Sequence, residues 1–228
     1  MSNDLVAQAG GGKRRQYFVG TPSGMYNAVC VDVIDLGYEV DEWQGQKKVK
    51  RKVQFAFQLD QTIDEKLIKK AKKRAGLPEK LDESDEELLG KPLLVFTKKL
   101  PLSLYETSGL RKFLNAWNGE DVGDREVIDG KDKTYVGRQA TLMITEVADK
   151  NKKGVYYSNI VAITPPDEDA EPVVPSEDYV RRKDRDNYQA PPTEEEAMAK
   201  AGLLTVAAAA AAGADAGGSD DAIPFGDE

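Results

Sequence analysis

The sequence predicts a mainly β protein, a five-stranded OB-fold barrel, and three observations support this prediction. Five runs are rich in β-branched and apolar residues, and the second run alternates sharply between apolar and polar positions. A helix with clear start and stop signals lies between the third and fourth runs, where an OB-fold carries its helix. A basic helical segment is inserted between the second and third runs. The competing five-strand plan, an SH3-like barrel, would not place a well-formed helix before the fourth strand.

The first two strands are predicted at residues 25–37 and 48–60. The first is apolar and β-branched, and it follows the turn sequence GTPSG. The second, KVKRKVQFAFQLD, places Phe55, Phe57 and Leu59 on one face and its lysines on the other. A period of two predicts a half-buried strand with one basic, solvated face.

The next segment contains the insertion and the third strand. Residues 62–75 are predicted to form a short basic amphipathic helix that ends before Gly76 and Pro78. The acidic residues 81–90 are predicted to form a loop. Residues 92–104 then provide the third strand, which Pro101 interrupts.

The second helix and the last two strands have the clearest local signals. In ETSGLRKFLNAWNG, Thr107 or Ser108 is the expected N-cap, and Gly119 ends the helix. Apolar residues with helical spacing end at Trp117, which we therefore expect in the core. Residues 137–166 are predicted to form a hairpin, because two β-rich runs flank the turn sequence ADKNKKG.

Charge and composition divide the chain into three parts. Residues 1–19 are predicted to be a flexible basic arm, and residues 20–166 are predicted to be the barrel. The formal charge is +3 for residues 1–164 but −11 for residues 165–228, and these values sum to −8. The last part holds 7 of the 11 prolines but only 3 of the 17 aromatic residues. We therefore predict a disordered acidic tail over residues 167–228, with one helix starting at the capping box of Thr193 and Glu196.

The composition argues against several classes of function. There is no histidine, and Cys30 is the only cysteine, which excludes His-dependent catalysis, an intrachain disulfide and a thiolate metal cluster. The two longest uncharged stretches are residues 16–31, 16 residues that include several polar ones, and residues 201–214, 14 residues of mostly alanine and glycine, so no membrane-spanning segment is predicted. The N-terminus lacks the apolar core of a signal peptide. We expect a cytoplasmic protein with no cofactor, no metal and no membrane partner.

The predicted barrel suggests where a ligand would bind. An OB-fold binds oligomers across strands 2 and 3, between the loop joining strands 1 and 2 and the loop joining strands 4 and 5. Lysines neutralise phosphates and aromatic faces stack on unpaired bases, so together they form a groove for single strands. The candidate residues in these places are Tyr38, Trp43, Lys48, Lys50, Lys52, Phe96, Lys98, Lys99, Lys150, Lys152, Lys153 and Tyr156. The sequence leaves open whether Phe96, Tyr156 and Tyr157 are core residues, and it does not separate DNA from RNA.

Two other classes of function stay open. Lysine rows also protect strand edges and aid solubility, so the barrel could mainly contact protein, as in an adaptor or recombination mediator. A carboxylate-metal nuclease would use the acidic residues of one glycine-rich loop, although their spacing is irregular: Glu120, Asp121, Asp124, Glu126 and Asp129. The chain has no phosphate-binding glycine motif and no nucleophile signature, so we do not expect an enzyme.

Three passages, GMYNAVCVDVIDLG, LPLSLYETSGLRKFLNAWNG and VYYSNIVAITP, resemble a bacteriophage family of OB-fold single-stranded DNA-binding proteins. The resemblance covers residues 20–166 and is most specific in the passage SLYETSGLRKFLNAW. It implies a non-enzymatic protein that coats single-stranded DNA without sequence preference during phage replication and recombination. The expected location is then the cytoplasm of the bacterial host.

The C-terminal tip resembles that of bacterial single-stranded DNA-binding proteins, whose acidic tails end in Asp-Asp-Ile-Pro-Phe. The matching residues, with one alanine inserted, are Asp220, Asp221, Ile223, Pro224 and Phe225. In the bacterial proteins the phenylalanine is the last residue and its free carboxylate helps partners bind, whereas three residues follow Phe225 here. The resemblance implies a hydrophobic anchor among carboxylates that recruits a replication or recombination protein.

Overall fold

A computed structural model describes residues 17–131, 133–150 and 155–203. The basic arm up to residue 16, Lys152, Lys153 and the C-terminal tip lie outside the described residues, as does the side chain of Trp43. Within the described residues the protein is mainly β, with six strands in one open antiparallel sheet and a few short helices.

The elements follow the predicted order along the chain. The strands are β1 Gly24–Trp43, β2 Gln46–Thr62, β3 Pro92–Phe96, β4 Leu100–Pro101, β5 Gln139–Ala148 and β6 Tyr156–Thr164. The helices are α1 Glu65–Arg74, α2 Glu83–Glu86, α3 Gly109–Asn118 and α4 Glu194–Ala201, with a 3₁₀ turn at Arg182–Asp184. The sheet order is β3-β2-β1-β5-β6, and β4 pairs with β2.

The described strands form an open sheet of six strands, whereas the sequence predicted a five-stranded barrel. The terminal strands of the order, β3 and β6, are not paired with each other among the described residues. Closure requires continuous hydrogen bonding around the ring. β3 is only five residues long, and its pairing with β2 changes register between Gln58 and Thr62. These irregularities, which depend on pairing between distant segments, were not visible in the sequence.

The first two strands are longer than predicted, and the predicted loop 37–48 is mostly strand. β1 continues to Trp43, and β2 begins at Gln46. Between them Gln44 and Gly45 have φ values of 51° and 76°. Two successive residues with positive φ are typical of a tight hairpin turn whose twist matches the strands. The chain therefore reverses in two residues instead of forming a loop.

The core confirms the predicted faces of β2 and α3. Phe55 and Phe57 are fully buried, and the Trp117 ring lies 5.8 and 5.1 Å from their ring centroids. The indole N–H of Trp117 donates to the Gln139 carbonyl at 2.8 Å, so its polar atom is satisfied in the core. Ser108 is the N-cap of α3, because its hydroxyl accepts a hydrogen bond from the Arg111 N–H.

The acidic segment predicted as a loop contains α2. The Asp82 side chain accepts hydrogen bonds from the backbone N–H groups of Ser84 and Asp85, which makes it an N-cap. Asp85 is fully buried, and its carboxylate lies 2.6 Å from the Lys72 ammonium of α1. A buried lysine needs a counterion, so this pair holds the segment in a defined conformation.

The chain divides into two compact units, residues 1–34 with 53–189 and residues 35–52 with 190–228. The second unit contains the turn half of the β1–β2 hairpin together with α4. The predicted capping box of Thr193 and Glu196 is present at the start of α4. Gly37 has a φ of +66°, and an added Cβ would lie 2.4 Å from the Pro192 carbonyl oxygen. Glycine is therefore required where residues 190–203 meet the hairpin.

Residues 173–183, which we call the strap, belong to the segment that the sequence predicted to be disordered, but they are hydrogen-bonded to the sheet. The Gln58 amide donates to the Val174 carbonyl and its oxygen accepts from the Ser176 N–H, both at 2.8 Å. Gln139 makes the same two-bond contact with the backbone of Val173, at 3.0 Å for each bond. These side chains satisfy the strap backbone as a neighbouring strand would. The pairing helps to offset the entropy cost of ordering a segment that has few large apolar side chains.

A buried carboxylate holds the second half of the strap. Asp32 is 1% exposed and accepts hydrogen bonds from the Arg182 N–H at 2.6 Å, from Arg181 Nε at 3.2 Å and from the Tyr179 hydroxyl at 3.4 Å. Burial and the nearby Asp32 carboxylate raise the pKa of Tyr179 to about 12. The tyrosine therefore stays neutral and donates at physiological pH.

Candidate nucleic-acid interface

A cavity of about 690 Å³ lies along β3 in the first unit. It is bounded by the segment before β1, by the loop before β3, by β3 itself and by the strap. The lining residues are Tyr17, Phe18, Val19, Ile63, Leu88, Lys91, Pro92, Leu93, Leu94, Phe96, Ser176, Asp178 and Tyr179. The wall is thus mostly apolar and contains four aromatic rings, with one lysine and one aspartate.

Two of these rings are open to solvent and two are held in place. Phe18 is 61% exposed and Phe96 is 43% exposed. The hydroxyl of Tyr17 donates to Asp85, and that of Tyr179 donates to Asp32, so each ring is anchored from its polar end. Exposed phenylalanines beside fixed aromatic walls offer apolar faces on which a flat ring can stack.

Strand alternation explains why β3 presents Phe96 to the cavity. Leu93 and Val95 are buried in the core, and Leu94 and Phe96 therefore face the other side of the sheet. Phe96 lies opposite Ala56 of β2. The sequence left the position of Phe96 open, and the structure places it outside the core.

Two predicted lysines follow Phe96 along the chain. Lys98 and Lys99 are both exposed, while Thr97 between Phe96 and Lys98 is buried. The Thr97 hydroxyl accepts a hydrogen bond from the Phe55 N–H at 3.0 Å, which fixes the backbone as it leaves β3. Both cationic side chains therefore follow the exposed aromatic residue in a segment that is anchored to the core.

In the second unit, carboxylates partly neutralise the predicted basic face of β2. The Lys52 ammonium lies 2.5 Å from Asp41 and 3.4 Å from Glu39, and that of Lys50 lies 3.8 Å from Asp41. Partial burial lowers the pKa of Lys52, but the Asp41 and Glu39 carboxylates outweigh this effect and raise it. The lysines of β2 therefore share this face with acids of β1. The sequence shows that Glu39 and Asp41 lie two residues apart and so share one face of β1. It does not show which residues of β2 lie opposite them.

The other predicted binding residues of the second unit are Lys48, Tyr38 and Trp43. Lys48 is exposed and Tyr38 is half-buried, and the Tyr38 N–H donates to the Pro192 carbonyl at 3.0 Å. The backbone of Trp43 ends β1 beside the hairpin turn. These positions belong to a hairpin and not to the loop that the sequence suggested.

At the turn between β5 and β6, the structure assigns Tyr156 a different role from the predicted one. The Arg74 guanidinium of α1 stacks on the Tyr156 ring, 3.9 Å from its centroid. Arg74 also forms a bidentate pair with Glu146 of β5, and this pair is the main reason that the pKa of Glu146 is lowered. Tyr156 therefore joins α1 to the sheet instead of offering both ring faces to a base. Lys150, also predicted for this site, is exposed.

The structure thus assembles part of the predicted site and adds residues to it. Phe96 shares the cavity with Tyr17, Phe18 and Tyr179, none of which was among the predicted binding residues. A signal existed for Tyr17 and Phe18, because they follow the basic residues of the N-terminal arm. Tyr179 had no such signal, because the acidic, proline-rich composition around it indicated disorder.

The acidic loop that a nuclease would need is used for internal ion pairs. Asp121 and Asp124 bind the Arg111 guanidinium at 2.7 and 3.0 Å, and Asp129 binds Arg181 at 2.6 Å. Among residues 17–131, 133–150 and 155–203, no group of acidic or thiol side chains is arranged to hold a metal ion. None of the helices in the same ranges is long and apolar enough to cross a membrane.

Comparison with family models, curated protein sequences and solved structures gave no match to this chain. The geometry itself defines the class of protein, which is a mainly β chain with an aromatic cavity beside an edge strand of an open sheet. Any more specific function has to be argued from the site.

Proposed function

We propose that this protein binds single-stranded DNA without sequence preference and that it is not an enzyme. The observation that carries the proposal is the cavity along β3, which exposes Phe18 and Phe96 and is followed on the chain by Lys98 and Lys99. Aromatic faces stack on any unpaired base, and lysines neutralise the backbone beside it. A duplex keeps its bases stacked inside and cannot offer them to such a cavity.

The strand order supports an OB-type arrangement as part of this proposal. β1 lies between β2 and β5 in the sheet. If the two-residue β4 is left out of the count, β5 is the fourth strand, so the first strand pairs with both the second and the fourth. An OB-fold is a five-stranded, partly open Greek-key barrel with a helix before its fourth strand, and it binds oligomers across strands 2 and 3. α3 occupies the position of that helix, and the cavity lies along β3, the third strand of this plan.

The cellular role that we propose is coating of single strands in phage replication and recombination. It rests on the sequence resemblance, as does recruitment of a partner protein through Asp220, Asp221, Ile223, Pro224 and Phe225. An apolar anchor between carboxylates suits a partner pocket with an apolar floor and a basic rim.

A fluorescence titration with labelled single-stranded and double-stranded DNA of equal length tests the proposal. The protein should bind the single strand much more tightly, and Phe96→Ala should lose about 1–3 kcal/mol of binding free energy, the range for one stacked base. Tyr105→Ala is the matched control, because Tyr105 is 72% exposed but does not line the cavity. Equal affinity for duplex, or equal losses in the two variants, would show that the cavity is not the site.

The mostly apolar wall of the cavity also supports a second candidate, an adaptor that binds an apolar protein segment. The two functions differ in their salt dependence. Binding to DNA should weaken as salt rises, with log K falling by about 0.7 per log unit of salt for each phosphate neutralised. An apolar protein contact should change little over the same range.

A further inference from the structure

The outward face of β5 and its neighbours is apolar and exposed. On β5, Met143 and Val147 alternate with the buried core residues Leu142 and Ile144, so they point away from the core. The cross-strand register adds Met25 of β1 and Tyr157 and Ala162 of β6 to the same face. Val161 is the extra residue at the register shift beside Ala162, and it is exposed as well. We call these residues the open sheet face: Met25, Met143, Val147, Tyr157, Val161 and Ala162.

No residue of the open sheet face carries a charge, although charged residues make up 32% of the chain. The positions between them on the outward side, Thr145 and Asn159, are uncharged as well. Exposed strand positions usually carry charges that prevent association, as the lysines of β2 do. A phosphate backbone or an acidic tail would find no countercharge here. The surface therefore suits an uncharged, apolar partner.

The same sheet shows how the chain covers other outward apolar residues. Val29 of β1 pairs with Gln139, and Ala56 of β2 lies two residues before Gln58; both are fully buried. These two glutamines hold the strap across that region. Among the described residues, no comparable segment is held on the open sheet face.

The face is small. β5 and β6 run along it, but β1 pairs with β5 only over residues 24–29 and contributes one residue. Five of its six residues are 44–72% exposed, so two such faces form a small interface of the weakly bound class. Sheets that stack face to face interdigitate their side chains at a separation of about 10 Å.

We propose that the open sheet face joins two copies of this chain by face-to-face packing about a twofold axis. A twofold axis brings the same patch of each copy together. The six uncharged residues of one copy then meet the same six of the other. The nearby carboxylate of Asp149, just after β5, accepts a hydrogen bond from the Tyr157 hydroxyl at 2.7 Å and so has a partner. The pairing is independent of nucleic acid and of the cavity along β3.

Analytical ultracentrifugation of the full chain, without nucleic acid, tests this proposal. Over about 1 to 300 µM, a range suited to a small interface, the protein should show a monomer–dimer equilibrium. Val161→Lys should raise the dissociation constant at least about tenfold, because it buries an unpaired ammonium on each copy. Val180→Lys is the matched control: Val161 is 53% exposed and Val180 is 49% exposed, but Val180 lies outside the face. Val180→Lys should leave the dissociation constant unchanged.

Three results would overturn the proposal: a monomer over the whole range, a dimer that Val161→Lys leaves intact, or equal weakening by the two lysine variants. Circular dichroism and thermal unfolding check that each variant is folded. If Val161→Lys does not fold, Met143→Lys replaces it, because Met143 is also about half exposed on the same face.

Discussion

At the scale of single residues, the ion pairs around Asp129 connect the acidic loop to the strap. Asp129 lies 2.6 Å from Arg181 and 3.2 Å from Lys183, and the Thr134 hydroxyl donates to it at 2.8 Å. Burial of Asp129 raises its pKa, but these three partners outweigh burial and the pKa is lowered. The folded state therefore favours the ionised carboxylate.

Asp129→Asn should accordingly reduce stability in a pH-dependent way. A group whose folded pKa is depressed contributes stability above its unfolded pKa and loses it as pH falls through the folded pKa. The variant should be less stable than the wild type by up to about 1 kcal/mol at pH 7, since solvent screens the ion pairs, and the difference should shrink below about pH 4. Urea unfolding at several pH values measures this. A difference that stays constant from pH 7 to pH 3 would mean that the charge of Asp129 is not the cause.

Trp117 gives a second prediction at this scale, because it combines apolar packing with one satisfied N–H group. Trp117→Ala should destabilise the fold by about 3–5 kcal/mol, as large core truncations do. Trp117→Phe keeps most of the packing and loses the bond to the Gln139 carbonyl, so it should cost much less. Chemical denaturation compares the variants, and similar losses for both would show that the hydrogen bond dominates.

At the scale of elements, the β1–β2 hairpin carries lysines and carboxylates on one face. Asp41 contacts both Lys50 and Lys52, so a single acid competes with phosphates for two cations. Under the proposed function, the affinity for DNA should therefore depend on the acids of the hairpin as well as on its lysines.

Asp41→Asn should remove the carboxylate beside Lys50, leave Lys52 paired with Glu39 only, and strengthen binding to single-stranded DNA. The slope of log K against log salt should become steeper, by about 0.7 for each further phosphate neutralised. Glu42→Gln is the control, because Glu42 is exposed and its substitution changes the net charge equally. If both variants strengthen binding to the same extent, only the net charge matters and the hairpin face is not a specific contact.

At the scale of the whole molecule, the charge is divided unequally along the chain. Residues 204–228 contain five acids and no base, whereas residues 1–164 have a balance of +3. Because the strap is hydrogen-bonded to Asp32, Gln58 and Gln139, a truncation that tests the acidic tip should begin after Leu203 and keep the strap.

Deleting residues 204–228 should strengthen DNA binding modestly at low salt, and the gain should shrink as salt screens the tail. Phe225→Ala should leave DNA affinity unchanged, because it removes no charge, but it should abolish recruitment of a partner from an infected-cell extract. Binding curves at two salt concentrations and a pull-down measure these effects. Weaker DNA binding after truncation would place the tail in the binding surface, and an unchanged pull-down would make the Ile-Pro-Phe tip incidental.

Local signals in the sequence were sufficient to predict most elements. The alternation of β2, the cap residues Ser108 and Gly119 of α3 and the capping box of α4 each depend on residues a few positions apart. The free energies that favour these elements come from neighbouring residues, so their patterns could be recognised before any tertiary structure was known. The core positions of Phe55, Phe57 and Trp117 followed from the same periodicity.

Only the tertiary structure determined the features that depend on distant residues. The buried pair of Lys72 and Asp85 fixes α2, Asp41 neutralises Lys52, and two glutamines and Asp32 hold the strap. Each of these interactions joins segments whose register or proximity is set by the folded sheet, and none has a signature in composition. The aromatic cavity likewise combines residues from the start of the chain, from β3 and from residues 176–179. A sequence indicates which side chains can stack or pair, but folding decides which of them meet, because contact energies depend on distance in space and not on distance along the chain.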